Sequence, residues 1–334
     1  CCKGNMSTNN DIVNQLNTAT STIVLVLSSF NFIVGAIGLI FNILIFTRPS
    51  LRNEPCSFCF RCSTYFNLFV IFIVIPVRIL SNSFDLTLNN LNNGFCKLEY
   101  FTFHAMRSIS CWIIVFACLD RYLHSSTNIR IRQMSSLKTA KIVITLITIV
   151  ILLSYSHQFV YFEITYKPNR FGTIIATCTI VNVIYSVFFT FWHMTMYSIC
   201  PSLFMFLFGC LTLKNLQKYR HLIQRNPRFR RTDVQLLRML IGQVLIIVLS
   251  TLPYTIYLFY TSLTPRSTKD TYRIAQENLI LRTLTTTTFS AHSSSFYFHT
   301  LMGTSFRKEF FKIIRYCSSQ TRIHVIQRIL PRSS

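Results

Sequence analysis

Residues Ile23–Phe46 read IVLVLSSFNFIVGAIGLIFNILIF, a run with no charged side chain. As a helix rising about 1.5 Å per residue, it is long enough to cross the roughly 30 Å hydrocarbon core of a bilayer. Its apolar side chains lie all round and not in one stripe. Inside lipid every backbone N–H and C=O must be bonded within its own segment, so a helix is the reading for such a run. Six further blocks follow it: Phe60–Leu80, Phe101–Leu119, Lys141–Phe162, Ile184–Leu213, Leu236–Tyr260 and Asn278–Leu301. The second, third and seventh are more polar, as expected of helices that face a bundle interior. The expected fold is all-α, a seven-transmembrane helix bundle.

Composition agrees. The chain is 51% hydrophobic and only 13% charged, about half the charge of an ordinary soluble domain. Its net charge of +23 first suggests nucleic acid or an anionic surface. Placement removes the nucleic-acid reading. With the N-terminus outside, inner connections and tail hold 23 Lys and Arg, and outer segments hold nine. That asymmetry predicts a cytoplasmic C-terminus. The leftover basic residue is Arg107, inside the third block.

The expected organisation is an extracellular tail over 1–22 and a membrane domain over 23–304. An amphipathic eighth helix over 305–317 and a cytoplasmic tail over 318–334 complete it. Met6 is one reading of the start, and the first block is read as a signal-anchor.

Of 12 cysteines, only Cys96 and Cys178 fall on the expected outer, oxidising side clear of the chain start. They are expected to pair; two free thiols is the alternative. Cys56, Cys59 and Cys62 share metal-like spacing but lack a fourth ligand nearby. They read as packing residues or acylation sites, with no metal and no cofactor expected.

The third block ends in Leu119-Asp120-Arg121-Tyr122, and Cys96 stands 25 residues before Arg121. Asn42, Pro76, Pro201 and Pro253 fall at matching places in the first, second, fifth and sixth blocks. Phe306-Arg307 opens a basic-apolar stretch after the seventh. Together these resemble the rhodopsin-like G-protein-coupled receptors over about Ile23 to Cys317. The resemblance implies a switch. Asp120 and Asp233 would hold Arg121 until helix six swings out and opens a G-protein pocket; a solvated Asp233 among arginines is the alternative. Asp120, Arg121, Tyr122 and Asp233 are therefore the expected switch residues. The resemblance also implies a disulfide between Cys96 and Cys178.

Departures from the family pattern are extensive. Asn67 stands where the family carries a sodium-binding aspartate. Helix six reads Ser250-Thr251-Leu252-Pro253, without the usual tryptophan. Helix seven reads Ser295-Phe296-Tyr297-Phe298-His299 in place of N-P-x-x-Y. The helix-five tyrosine position is Gly209. His299 or Tyr297 is the expected substitute in the relay.

Arg107 lies 14 residues before Arg121, close to four turns, so it points inward near mid-membrane. A charge at that depth costs several kcal/mol without partners, and no carboxylate lies at its level in any block. It is read either as the contact for an anionic or carbonyl-rich ligand or as bonded to helix carbonyls, Thr residues and water. Phe103, His193, Thr251 and Tyr254 complete the expected pocket. Phe103 also stands where amine receptors of the family place an aspartate, and no lysine lies between Lys269 and Lys308 to serve as an opsin's. A peptide-type or lipid-type orphan receptor remains, and the outer charge and the long second outer loop favour the peptide type.

Apolar Phe310, Phe311, Ile313 and Ile314 interleave with Lys308, Lys312 and Arg315, suiting a helix in the lipid interface. Cys317 is a lipidation candidate. No phosphate loop, HExxH or intramembrane carboxylate pair supports an enzyme. The expected function is a cell-surface receptor that binds an extracellular, neuropeptide-like ligand and activates a heterotrimeric G protein, its partners being ligand, G protein and membrane lipid. A receptor with impaired signalling and a transporter or channel are the alternatives.

Overall fold

A computed structural model describes residues 2–83, 92–126, 128–168, 174–220, 227–264, 270–304 and 306–315. Side chains are described for these except at 2–10, 50, 82–83, 167–168, 175, 219–220 and 227–234. The chain is a helical bundle. Helix α1 spans Cys2–Phe46, so the first membrane helix continues unbroken into the segment expected as a tail. Helix α2 covers Pro55–Ser81, α3 Asn93–His124 and α4 Leu137–Tyr161, the last with a turn at Ser156–His157. Helix α5 covers Val183–Lys218 and α6 Pro227–Leu263. Among the described residues these six helices are long and apolar enough to cross a membrane.

Helix α7 completes the seven in three pieces, Thr271–Thr287, Ser290–Ser293 and Ser295–Met302. Its breaks have a local cause. The hydroxyls of Thr285, Thr286, Thr287 and Thr288 all bond back to carbonyls three or four residues earlier. Such back-bonding competes with the helical ladder and bends it. The chain turns at Thr288–Phe289, and both residues face the interior. An eighth helix, α8, runs over 306–315; Phe306 is buried while Phe311 and Ile314 are exposed.

Helix α3 sits at the centre. Of its apolar window 78% is buried, against 17% for α4, which faces outward. Asn92 caps its start by accepting from the Gly94 amide at 3.1 Å. Asn182 and Ser136 do the same for α5 and α4, satisfying amides that a helix start leaves unbonded. Lipid supplies no hydrophobic force between membrane helices, so close packing holds them. Gly35 shows this: a Cβ there would meet Ile71 on α2 at 2.8 Å and Ser293 on α7 at 3.0 Å.

Two helices carry a π-turn just before a proline: Val70–Val74 before Pro76 in α2, and Thr195–Ile199 before Pro201 in α5. Proline lacks an N–H and its ring crowds the carbonyl four residues back. The wider turn relieves both and rotates the side chains above it.

Among the described residues one hairpin is not helical. β1 (Phe162–Pro168) and β2 (Ile174–Ile180) pair antiparallel, with Ile164 opposite Cys178. Ile and Thr dominate β2, and β1 carries Phe162, Ile164, Thr165 and Tyr166, as suits a pleated surface. Cys178 is disulfide-bonded to Cys96, strapping this hairpin across the start of α3.

Candidate functional site

The interior site is built around Arg107, which is 0% exposed. The guanidinium lies over the faces of Tyr197, Phe103 and Phe289, at 4.5, 4.9 and 5.1 Å from the ring centroids. Its Nη2 donates to the Tyr197 hydroxyl at 2.9 Å and to Thr288 Oγ1. The π-turn in α5 presents Tyr197, and the break in α7 presents Thr288 and Phe289. Every one of these partners is neutral. Among the described residues, Arg107 Nε and Nη1 have no hydrogen-bond partner.

From Tyr197 a chain of hydrogen bonds leads inward. The Tyr197 hydroxyl is 3.3 Å from His292 Nε2. His292 Nδ1 is 2.9 Å from Asn67 Oδ1, which also accepts from Ser110 at 2.5 Å. Ser110 meets Ser63 at 2.9 Å. An amide oxygen only accepts, so His292 Nδ1 carries the proton and Nε2 accepts from Tyr197. His292 occupies the neighbourhood of Asn67, where the resemblance implies an aspartate.

His193 is 2% exposed. Its ring stacks on Tyr197 at 5.1 Å, nearly parallel. Its Nδ1 lies 3.0 Å from the Tyr155 hydroxyl, which accepts from Ser108 at 2.9 Å. Tyr155 therefore donates to Nδ1, leaving the proton on Nε2, which has no partner among the described residues. Three buried N–H-bearing atoms, on Arg107 and His193, thus lack protein acceptors there. Each such orphan costs about 1–3 kcal/mol, and a carboxylate or carbonyl would satisfy them.

Of the expected pocket residues, the structure gathers Phe103, Arg107 and His193 around Tyr197. Thr251 is fully buried, but its hydroxyl turns back to the Ile247 carbonyl at 2.8 Å. Tyr254 is buried on the same helix. Neither hydrogen-bonds to Arg107. Tyr197, Thr288, Phe289 and His292 join the site with no sequence motif to mark them. Each reaches Arg107 through an irregular turn or through Tyr197.

At the other end of α3, Arg121 is 3% exposed and Asp120 is 1% exposed. Arg121 Nη2 donates to Asp120 Oδ2 at 2.9 Å, and Ser135 donates to Asp120 Oδ1 at 2.6 Å. Tyr122 stacks on Phe208 of α5 at 6.2 Å. A cavity of about 30 Å³ touches Arg121, Thr212, Leu216 and Leu237, so α5 and α6 nearly close over the arginine. The side chain of Asp233 and all of Cys317 lie outside the described residues, and with them the expected Arg121–Asp233 contact.

His299 joins three helices. It lies 3.3 Å from Asn42 Oδ1 on α1 and 2.9 Å from Gln243 Oε1 on α6, and it packs against Phe46, Phe60 and Phe306. Tyr297 instead sends its hydroxyl to the Val34 carbonyl at the bundle's outside. Cys56 and Cys59 are buried and Cys62 partly so, which places them in the packing of α2.

The family model described as 7 transmembrane receptor (rhodopsin family) matches residues 38–297. No curated protein matches the chain.

Proposed function

Because the chain belongs to the rhodopsin family of seven-transmembrane receptors, we propose that it is a plasma-membrane receptor that signals to a heterotrimeric G protein through Arg121. The observation that supports this is the buried Asp120–Arg121 pair facing a nearly closed cavity between α3, α5 and α6. That is the form of a two-state element poised at its closed end. Outward movement of α6 would enlarge the cavity and free Arg121 for a partner. Asp233, at the base of α6, is the proposed second holder of the arginine. The N-terminus is assigned outside and the C-terminus inside, following the basic residues. Cys317, just past α8, is the proposed lipid anchor.

The ligand is assigned to the Arg107 site, as a peptide presenting a carboxylate. Support comes from the orphan donors on Arg107 and His193, and from Arg107 having only neutral partners among the described residues. Thr251 and Tyr254 belong to its α6 wall. Agonist-driven nucleotide exchange on a panel of G proteins, with wild type and Arg121→Ala, tests the reading. Exchange should fall to background in the variant. Equal exchange with and without the arginine would remove Arg121 from the mechanism. Agonist binding without exchange in wild type would favour a receptor whose altered helix-seven sequence no longer signals.

A further inference from the structure

A groove of about 190 Å³ lies between α2 and α3, lined by both helices. Among its wall residues Ile73, Phe95 and Leu98 are 50, 55 and 48% exposed. Half of each side chain therefore lies outside the bundle, and in a membrane that side is hydrocarbon. The groove opens sideways into lipid and not into the Arg107 interior.

Its polar end holds two opposite charges, Arg78 and Glu99. Arg78 is half-buried, its guanidinium over Phe103 at 4.0 Å and Tyr100 at 4.7 Å, and its Nε is buried with no hydrogen-bond partner among the described residues. Among the described residues no ion pair joins Arg78 to Glu99 or to any other carboxylate. Arg78 stands three residues before the α2 end at Ser81 and Glu99 six after the α3 start at Asn93. At about 1.5 Å per residue both lie within ~10 Å of the helix ends, near the level of lipid headgroups.

We propose that this groove binds a zwitterionic phospholipid, its phosphate on Arg78, its cationic headgroup amine on Glu99, and an acyl chain against Ile73, Phe95 and Leu98. The charge pattern selects among lipids. An anionic headgroup satisfies Arg78 but meets the Glu99 carboxylate, and a fatty acid leaves Glu99 without a counter-charge. A zwitterion matches both, and an unpaired charge at this depth is costly enough for the match to count. The site also reports inward. Phe103 lies beneath Arg78 on the groove side and beneath Arg107 on the interior side, so one ring carries two cations. A phosphate on Arg78 relieves that repulsion and couples lipid occupancy to Arg107.

The test is native mass spectrometry of the full chain released from nanodiscs of equal palmitoyl-oleoyl phosphatidylcholine and phosphatidylglycerol. Wild type should retain phosphatidylcholine in preference. Glu99→Gln should shift retention toward phosphatidylglycerol by at least about threefold, the scale of a partly exposed ion pair. Arg78→Gln should lose retention of both. A retained Cys96–Cys178 disulfide and a single gel-filtration peak establish that each variant is folded, and either folded variant alone decides the question. An unchanged lipid ratio in folded Glu99→Gln, undiminished lipid retention in folded Arg78→Gln, or a wild-type preference for phosphatidylglycerol overturns the proposal.

Discussion

Arg107 on α3 donates to the hydroxyl of Tyr197 on α5 at 2.9 Å, and among the described residues no carboxylate completes the pair. A buried cation held only by hydroxyls and ring faces is an arrangement that folding alone does not favour. Desolvating an ion costs several kcal/mol after relaxation, and neutral partners return only part of that. Arg107→Met should therefore raise the thermal unfolding midpoint of the purified receptor while abolishing agonist response. Thermal melts and agonist-driven exchange on the same preparation check both. A lowered midpoint would mean that the three rings and two hydroxyls stabilise the charge fully.

Tyr197→Phe separates the hydrogen bond from the ring. The phenylalanine keeps the face under Arg107 but removes the acceptor for Nη2 and the donor for His292 Nε2. Leaving buried partners unmade costs about 1–3 kcal/mol. The midpoint should fall, and Tyr197→Phe combined with His292→Phe should be less destabilising than the sum of the two. Denaturation of both single variants and the double variant measures that coupling, with additivity counting against the chain of bonds.

Much of the fold is legible in the sequence. The apolar blocks give the helices because backbone satisfaction in lipid leaves no other choice, and Cys96 and Cys178 stand out by side. Arg107 points inward by its four-turn spacing from Arg121. Its partners do not show. Tyr197 faces Arg107 from beside a π-turn, and Thr288 and Phe289 from a break caused by threonine back-bonding. A regular helix drawn over α5 or α7 misplaces them. The β1–β2 hairpin is likewise hidden, because its strands are short and the first follows directly on the apolar fourth block, although Pro168, Asn169 and Gly172 stand at the connection.

The disulfide joins residues 82 apart in sequence and holds β1 and β2 over α3. Cross-links across loops of this size typically contribute about 2–4 kcal/mol. Cys178→Ser should lower the unfolding midpoint and cut surface expression, and Cys96→Ser should match it. Non-reducing peptide mapping of wild type should recover the Cys96–Cys178 peptide pair. Unequal effects of the two serines would show that one cysteine has a second role.

Asp120 accepts from both Arg121 and Ser135, so its charge anchors the arginine from its own helix. Asp120→Asn keeps the shape and removes the charge. A hydrogen bond between charged groups is about twice as strong as a neutral one, so the closed state should weaken and basal exchange should rise. Ser135→Ala should raise it less, because it removes a neutral donor only. Basal nucleotide exchange without agonist reads both. A fall in basal exchange for Asp120→Asn would assign the carboxylate to the open state instead.

His299 is the residue that ties α7 to α1 and α6, through Asn42 and Gln243. Gln243 Oε1 and Asn42 Oδ1 both only accept, so a neutral His299 donates to one of them, and the shorter contact assigns the proton to Nε2, toward α6. The pair then closes α6 against α7 a short way above the Arg121 cavity. Movement of α6 has to break it. His299→Phe keeps a ring among Phe46, Phe60 and Phe306 but strands the two amides. It should lower the midpoint of the closed receptor by the equivalent of about 1–3 kcal/mol and raise basal exchange at the same time. Gln243→Leu with His299→Phe replaces both partners by apolar groups, which is the less costly case. The double variant should regain stability over His299→Phe and keep the raised exchange. Recovery of a low basal rate in the double variant would show that packing, and not this hydrogen bond, holds α6 closed.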